Sequence, residues 1–205
     1  MTTPTHTRVL IAALAALAAL SLPVVAHAAK PPHATSAKAQ AGKVRALPDS
    51  AAVMALLAGV HNGACPLAGV ATGGQPDSAH LAKLAHAGFT TVLDLRAADE
   101  ARGFDEAAAM RAAGLAYITL PVTPATLDDR VFDTFRTTMG KRGGQGVFVH
   151  CASGNRVGAA MIPWLVLERG WDVERAVASA RAGGLKSPEL EAKARDYVSR
   201  KLAAR

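Results

Sequence analysis

The sequence predicts an α/β domain with a mainly parallel sheet flanked by helices, and three observations carry that expectation. From residue 49 onward, short apolar and β-branched runs alternate with helix-period runs. The segments between them are short and marked by Gly or Pro, as crossover connections on both faces of a parallel sheet require. One buried-looking run, "VFVH" (147–150), ends at the polar loop "CASGNR", and ligands of such sheets sit beyond the carboxyl ends of the strands. The 205 residues suffice for one domain with a real core.

Taken in order, "SAAVMALLAG" reads as a short helix stopped at Gly59, and "GVAT" as a strand running into the turn "GGQP". "DSAHLAKLAHAG" has Asp77 or Ser78 to cap it, Leu81 and Leu84 on one face, and Gly88 to end it. "FTTVLDLR" is a strand, "DEAAAMRAAG" a helix ended by Gly114, and "LAYITLPV" a third strand. "TLDDRVFDTFRTTM" is a helix whose Thr126 and Asp129 have capping-box spacing, with Val131, Phe132, Phe135 and Met139 on one face. After "VFVH" the chain is helical. A helix starts near Val157 and is kinked or ended by Pro163, a second starts near Val173, and the last has Ser187 as cap and Pro188 in its first turn.

The first 48 residues do not read as fold. "VLIAALAALAALSLPVVA" is apolar and uncharged behind Arg8, and Ala26-His27-Ala28 has the small–x–small pattern of a signal-peptidase site. Residues 1–28 are therefore expected to be a signal peptide, 29–48 a disordered basic linker, and 49–205 the domain of a protein exported to a bacterial periplasm, with no stable membrane insertion after cleavage. Five of the 23 Lys and Arg residues (Arg8, Lys30, Lys38, Lys43, Arg45) precede residue 49, while all 16 acids lie at Asp49 or beyond. The folded part thus holds 18 basic against 16 acidic side chains, and the net charge of +7 belongs mostly to the tail. Without a basic helix or an aromatic-interleaved basic patch, nucleic acid is not an expected partner. His80 and His86 lie six apart and share no helical face, so neither a metal nor another cofactor is expected. "GKRGGQG" lacks the GK[ST] ending of a nucleotide-binding loop.

The chemistry concentrates at residues 151–156. Backbone N–H groups of a tight loop at a helix N-terminus make a nest for an anion. The nest would comprise Ala152, Ser153, Gly154 and Asn155, with Gly154 permitting the turn and Arg156 closing the ring by bidentate donation. The same field favours a thiolate, so Cys151 is the expected nucleophile, and His150 is a supporting residue. Such a cradle suits attack on phosphorus in a phosphate ester or on sulfur in a thiosulfate-like donor, and a disarmed version would only bind anions.

"GGQPDSAHLAKLAHAGFTTVLDLR", followed about fifty residues later by "VFVHCASGNRVGA", resembles the bacterial dual-specificity-phosphatase-like proteins. Within them it is most similar to the phosphatase-like domain of beta-lactamase-hydrolase-like proteins. The resemblance covers roughly residues 65–185. It implies a cysteine-phosphatase fold of the dual-specificity type, a phosphorylated substrate, a phosphocysteine on Cys151 and a phosphoryl group gripped by Arg156. Two departures stand out. Only four residues separate Cys151 from Arg156, where the broad superfamily usually has five. Four is also the spacing of rhodanese-like sulfurtransferases, whose nucleophile carries a persulfide. Val157 occupies the place where these phosphatases often carry Ser or Thr, leaving Ser153 as the hydroxyl of the loop. For the general acid, Asp128 is the best-placed carboxyl, although an acid in a first turn also serves as a cap. Asp99, Glu100 and Asp105 are lesser candidates, and Arg96 could add positive field. Cys65 is an alternative redox partner for Cys151 in an oxidising compartment.

Overall fold

In the computed structural model, residues 46–142 and 146–205 are described. The expected signal peptide and all but the last three residues of the expected linker lie outside them. Leu47, inside that linker, already packs against the core.

Seven helices and five strands follow one another among the described residues. They are α1 (Ser50–Leu56), β1 (Ala64–Leu67), β2 (Val70–Gly73), α2 (Ser78–His86), β3 (Thr91–Asp94), α3 (Glu106–Ala113) and β4 (Ala116–Thr119). Then come α4 (Asp129–Arg142), β5 (Val147–His150), α5 (Asn155–Leu167), α6 (Val173–Ala182) and α7 (Pro188–Ala203). The strand order is β1-β2-β5-β3-β4. β2, β5, β3 and β4 run parallel, and β1 joins β2 antiparallel.

Strand β1 is absent from the sequence reading. Its "ACPL" has no alternation and contains Pro66, a residue that strands accept at a sheet edge, where a missing N–H leaves no ladder bond unmade. The central strands are the opposite case: all four residues of each of β2, β3 and β5 are buried, as strands covered on both faces must be.

Pleating sends alternate side chains of the sheet into two cores. Val70, Leu93, Val147 and Val149 join Phe132, Phe135, Ile162, Val177 and Leu190 under α4–α7. Ala71, Val92 and Phe148 join Val53, Leu81, Leu84 and Met110 under α1–α3. The sheet is therefore the middle of three layers. Cys151 continues into the α4–α7 core, while His150 stacks on Phe148 of the other face, ring centroids 5.6 Å apart.

Local rules set the helix starts. Asp77, Asp105, Asp172 and Ser187 each accept the N–H three residues on. Two expectations are corrected. The cap of α4 is Asp128, which accepts the Val131 N–H at 3.0 Å, whereas Thr126 turns back to Thr123. α5 begins at Asn155 and runs through Pro163 to Leu167. Every residue from Val157 to Leu167 is buried, so packing on all sides holds the helix across the missing N–H.

Candidate active site

Strand β5 and helix α5 deliver the loop 151–154 to the carboxyl edge of the sheet. Three segments hold it there. The Gln75 N–H donates to Ala152 O at 3.2 Å, and Asn62 Nδ2 donates to Ser153 O at 2.7 Å. On the far side, Asn155 Oδ1 accepts the N–H groups of Lys186 and Ser187 at 2.8 and 3.1 Å. Gly154 sits at φ +86°, and a Cβ there would strike the Gly183 carbonyl oxygen. Gly154→Ala is therefore expected to destabilise the fold by about 1–3 kcal/mol and to open the loop. Chemical denaturation alongside an anion-binding titration checks it; unchanged stability would mean that the loop is not held as described.

The Gly154 N–H donates to Cys151 Sγ at 3.1 Å. The thiol sits at the floor of the loop, 1% exposed. Among the described residues, the N–H groups of Ala152, Ser153, Asn155 and Arg156 take part in no hydrogen bond, which leaves them, at the start of α5, for an anion.

Arg156 is held along one edge. Its Nη1 donates to Glu100 Oε1 and to Val122 O, the latter at 2.9 Å, and its Nη2 donates to Glu100 Oε2 at 2.8 Å. A guanidinium has five N–H groups. Nε–H and the second Nη2–H find no oxygen acceptor among the described residues, and together they have the geometry of a bidentate oxyanion fork. Glu100 raises the Arg156 pKa, and the neighbouring Cys151 sulfur adds to that effect against burial. The guanidinium is thus fixed beside the sulfur.

The Arg156 hydrogen bond holds the Glu100 carboxyl down at about 2, from 4.5, with the Ala97 N–H assisting and burial opposing. A lowered folded-state pKa contributes stability that is complete above the unfolded value and is lost as pH falls towards the folded one. The Glu100 contribution is expected to fade between pH 4.5 and 2. Glu100→Gln should flatten the stability-versus-pH curve across that window in denaturant titrations; an unaltered curve would contradict the pairing.

The other expected residues divide. Asp128 is exposed, and its carboxylate caps α4. The groove it lines with Leu120, Thr126 and Arg130 includes none of residues 151–156. Asp105 caps α3, and Asp99 is exposed. Val157 is buried in the core. Cys65 is free, and so is Cys151. β2 stands between β1, which carries Cys65, and β5. At about 4.8 Å per strand that puts them some 10 Å apart, beyond the roughly 7 Å a disulfide spans. The redox pairing is not formed by this fold.

A polar cluster under the sheet edge escaped the sequence reading. Asp94, Glu106 and His150 place one donor atom each within 4.8 Å of one another, all buried. Arg102 already supplies the positive charge there, with Nε 3.0 Å from Asp94 Oδ2 and 3.1 Å from Glu106 Oε2. The Tyr117 hydroxyl donates to the same two oxygens. The donor set thus fits a guanidinium better than a metal ion. Burial pushes His150 towards its neutral form, against the pull of Glu106 and Asp94. The surviving signal in the sequence was the density of charge in "LDLRAADEARGFDE" beyond β3. Only folding shows that its acids and arginines turn inward.

A family profile described as a DSP-PTPase phosphatase fused to NAD+ kinase matches residues 63–197. The chain belongs to this family. It is a cysteine-based phosphatase by family, which favours this reading over the sulfurtransferase. No curated protein matches the phosphatase in sequence. Among solved structures, a DUF442 protein from Shewanella putrefaciens CN-32 is similar, at 18% identity and a TM-score of 0.61, covering 72% of this chain and 97% of that one. PTPMT1 in complex with PI(5)P aligns at 17% identity and a TM-score of 0.57, covering 66% and 93%. TpbA of P. aeruginosa aligns at 19% identity and a TM-score of 0.55, covering 79% and 97%. These likenesses confirm the fold.

Proposed function

We propose that the phosphatase hydrolyses a phosphate monoester through a phosphocysteine on Cys151. The supporting observation is the Arg156 fork: two donors unused by oxygen, on a guanidinium fixed beside a sulfur that the Gly154 N–H contacts. The Cys151 thiolate attacks phosphorus, the S–P bond forms, and the ester P–O bond breaks as the leaving oxygen departs with its electron pair. The loop N–H groups and Arg156 hold the oxygens whose charge grows in the transition state. Water then attacks the phosphocysteine, the S–P bond breaks, and phosphate leaves with the thiolate restored.

Among the described residues, neither expected carboxyl near the loop is free to protonate the leaving oxygen. Asp128 is occupied as a cap, and Glu100 is held ionised by Arg156. The site as built therefore suits esters whose leaving group departs without a proton, such as aryl phosphates. Vanadate-sensitive hydrolysis of an aryl phosphate, much faster than that of an alkyl phosphate, is the expected result. Thiosulfate-dependent cyanide consumption without phosphatase turnover would overturn the proposal.

The leader pattern at residues 1–28 supports export to a periplasm. N-terminal sequencing of the protein from a fractionated bacterial host is expected to begin at Ala29, and a chain retained with Met1 in the cytoplasm would contradict it.

A further inference from the structure

We propose that Gln75, the third residue of the "GGQP" turn, is a positioning residue that sets the guanidinium of Arg156 relative to the sulfur of Cys151. The inference rests on the phosphatase reading and names a residue outside the catalytic loop. Gln75 touches both halves of the site. Its backbone N–H donates to Ala152 O at 3.2 Å and so holds the loop that carries the sulfur. Its side-chain Oε1 accepts from Arg96 Nη1 at 2.5 Å, and its Nε2 donates to Glu106 Oε1 at 2.8 Å.

From Arg96 the chain of contacts leads to the guanidinium. Arg96 Nε donates to Glu100 Oε2 at 3.2 Å and its Nη2 to Ala101 O at 2.7 Å, and Glu100 grips Arg156. The amide is matched to this place in polarity. Its acceptor end meets a cation and its donor end meets a buried carboxylate, 2% exposed. That carboxylate is fixed in turn by Arg102 and Tyr117. Glu106 thus anchors one end of an amide whose other end aligns Arg96. Losing the Oε1 acceptor takes one of three partners from Arg96, which keeps Glu100 and Ala101 O, and so loosens the pair that sets Glu100 against Arg156.

The test uses the full chain and the variant Gln75→Met, which keeps length and volume while removing the side-chain hydrogen bonds to Arg96, Glu106 and Pro76 O. Alkylation of Cys151, followed by peptide mapping to separate it from Cys65, is measured with iodoacetate and with neutral iodoacetamide. The carboxylate reagent reports the guanidinium, and the neutral reagent reports the thiolate alone. The expected result is an iodoacetate-to-iodoacetamide rate ratio lowered about tenfold, with the iodoacetamide rate within about twofold of wild type and vanadate bound about tenfold more weakly. A ratio equal to that of wild type overturns the proposal. So does a fall in both alkylation rates together with a lowered Tm, which would mark a structural role only. The ratio reads the guanidinium whether or not phosphate esters are turned over. Failure of the phosphatase reading would appear instead in the wild-type protein, as absent vanadate binding with the ratio intact.

Discussion

Cys151→Ser is expected to lower kcat on an aryl phosphate by roughly 10⁴- to 10⁶-fold, the loss seen when a covalent nucleophile is removed. The reason is chemical rather than structural. Serine keeps an acceptor for the Gly154 N–H, which donates to Sγ at 3.1 Å. The hydroxyl also fits the same buried floor of the loop, where the cysteine is 1% exposed. What disappears is a group that can ionise within the field of the loop N–H groups and Arg156. Vanadate or phosphate binding should therefore survive in the variant, because the nest and the fork survive. A variant that loses turnover and anion binding together, with a lowered Tm, would instead mean that Cys151 acts as core packing.

Arg156→Lys is expected to lower kcat/KM about 10²- to 10³-fold, the range for losing a preorganised donor to a developing oxyanion. Lysine keeps the charge and still reaches Glu100, yet an ammonium is a point donor without a fork. In the proposed mechanism the guanidinium divides its work, with one edge on Glu100 and Val122 O and the other on substrate. A lysine cannot serve both. The loss should fall mainly on kcat, because the fork matters most as charge accumulates in the transition state. Near-wild-type kcat/KM in Arg156→Lys would show that positive charge alone suffices and that the described edge has no function.

The parts of this architecture legible in the sequence are those governed by local rules. Helix-period patterns located α2, α3, α6 and α7, with cap residues read in advance only for α2 and α7. The strand-to-loop break at His150-Cys151 marked the candidate loop because its residues are contiguous in the chain. What local rules could not supply is pairing across the fold. Glu100 appeared as one of three acids after a strand, and its role emerges only because the 96–102 turn folds it against Arg156, 56 positions away in sequence. Asp128 was the expected acid by residue type and place in the chain, and the fold shows its carboxylate capping α4 through the Val131 N–H. Gln75 looked like a turn residue, since nothing in "GGQP" announces the Arg96 and Glu106 on either side of it. Edge strand β1 was hidden by Pro66 for the same reason, as its pairing depends on β2 and not on its own pattern.

The most direct test is to mix the full-length, reduced protein with excess aryl phosphate, quench in acid within the first turnover, and map the phosphoryl group by mass spectrometry. The account predicts a phosphoryl group on the peptide containing Cys151, absent when vanadate is present. Turnover with the phosphoryl group on another residue, or none trapped while thiosulfate leaves a persulfide on Cys151, would contradict it.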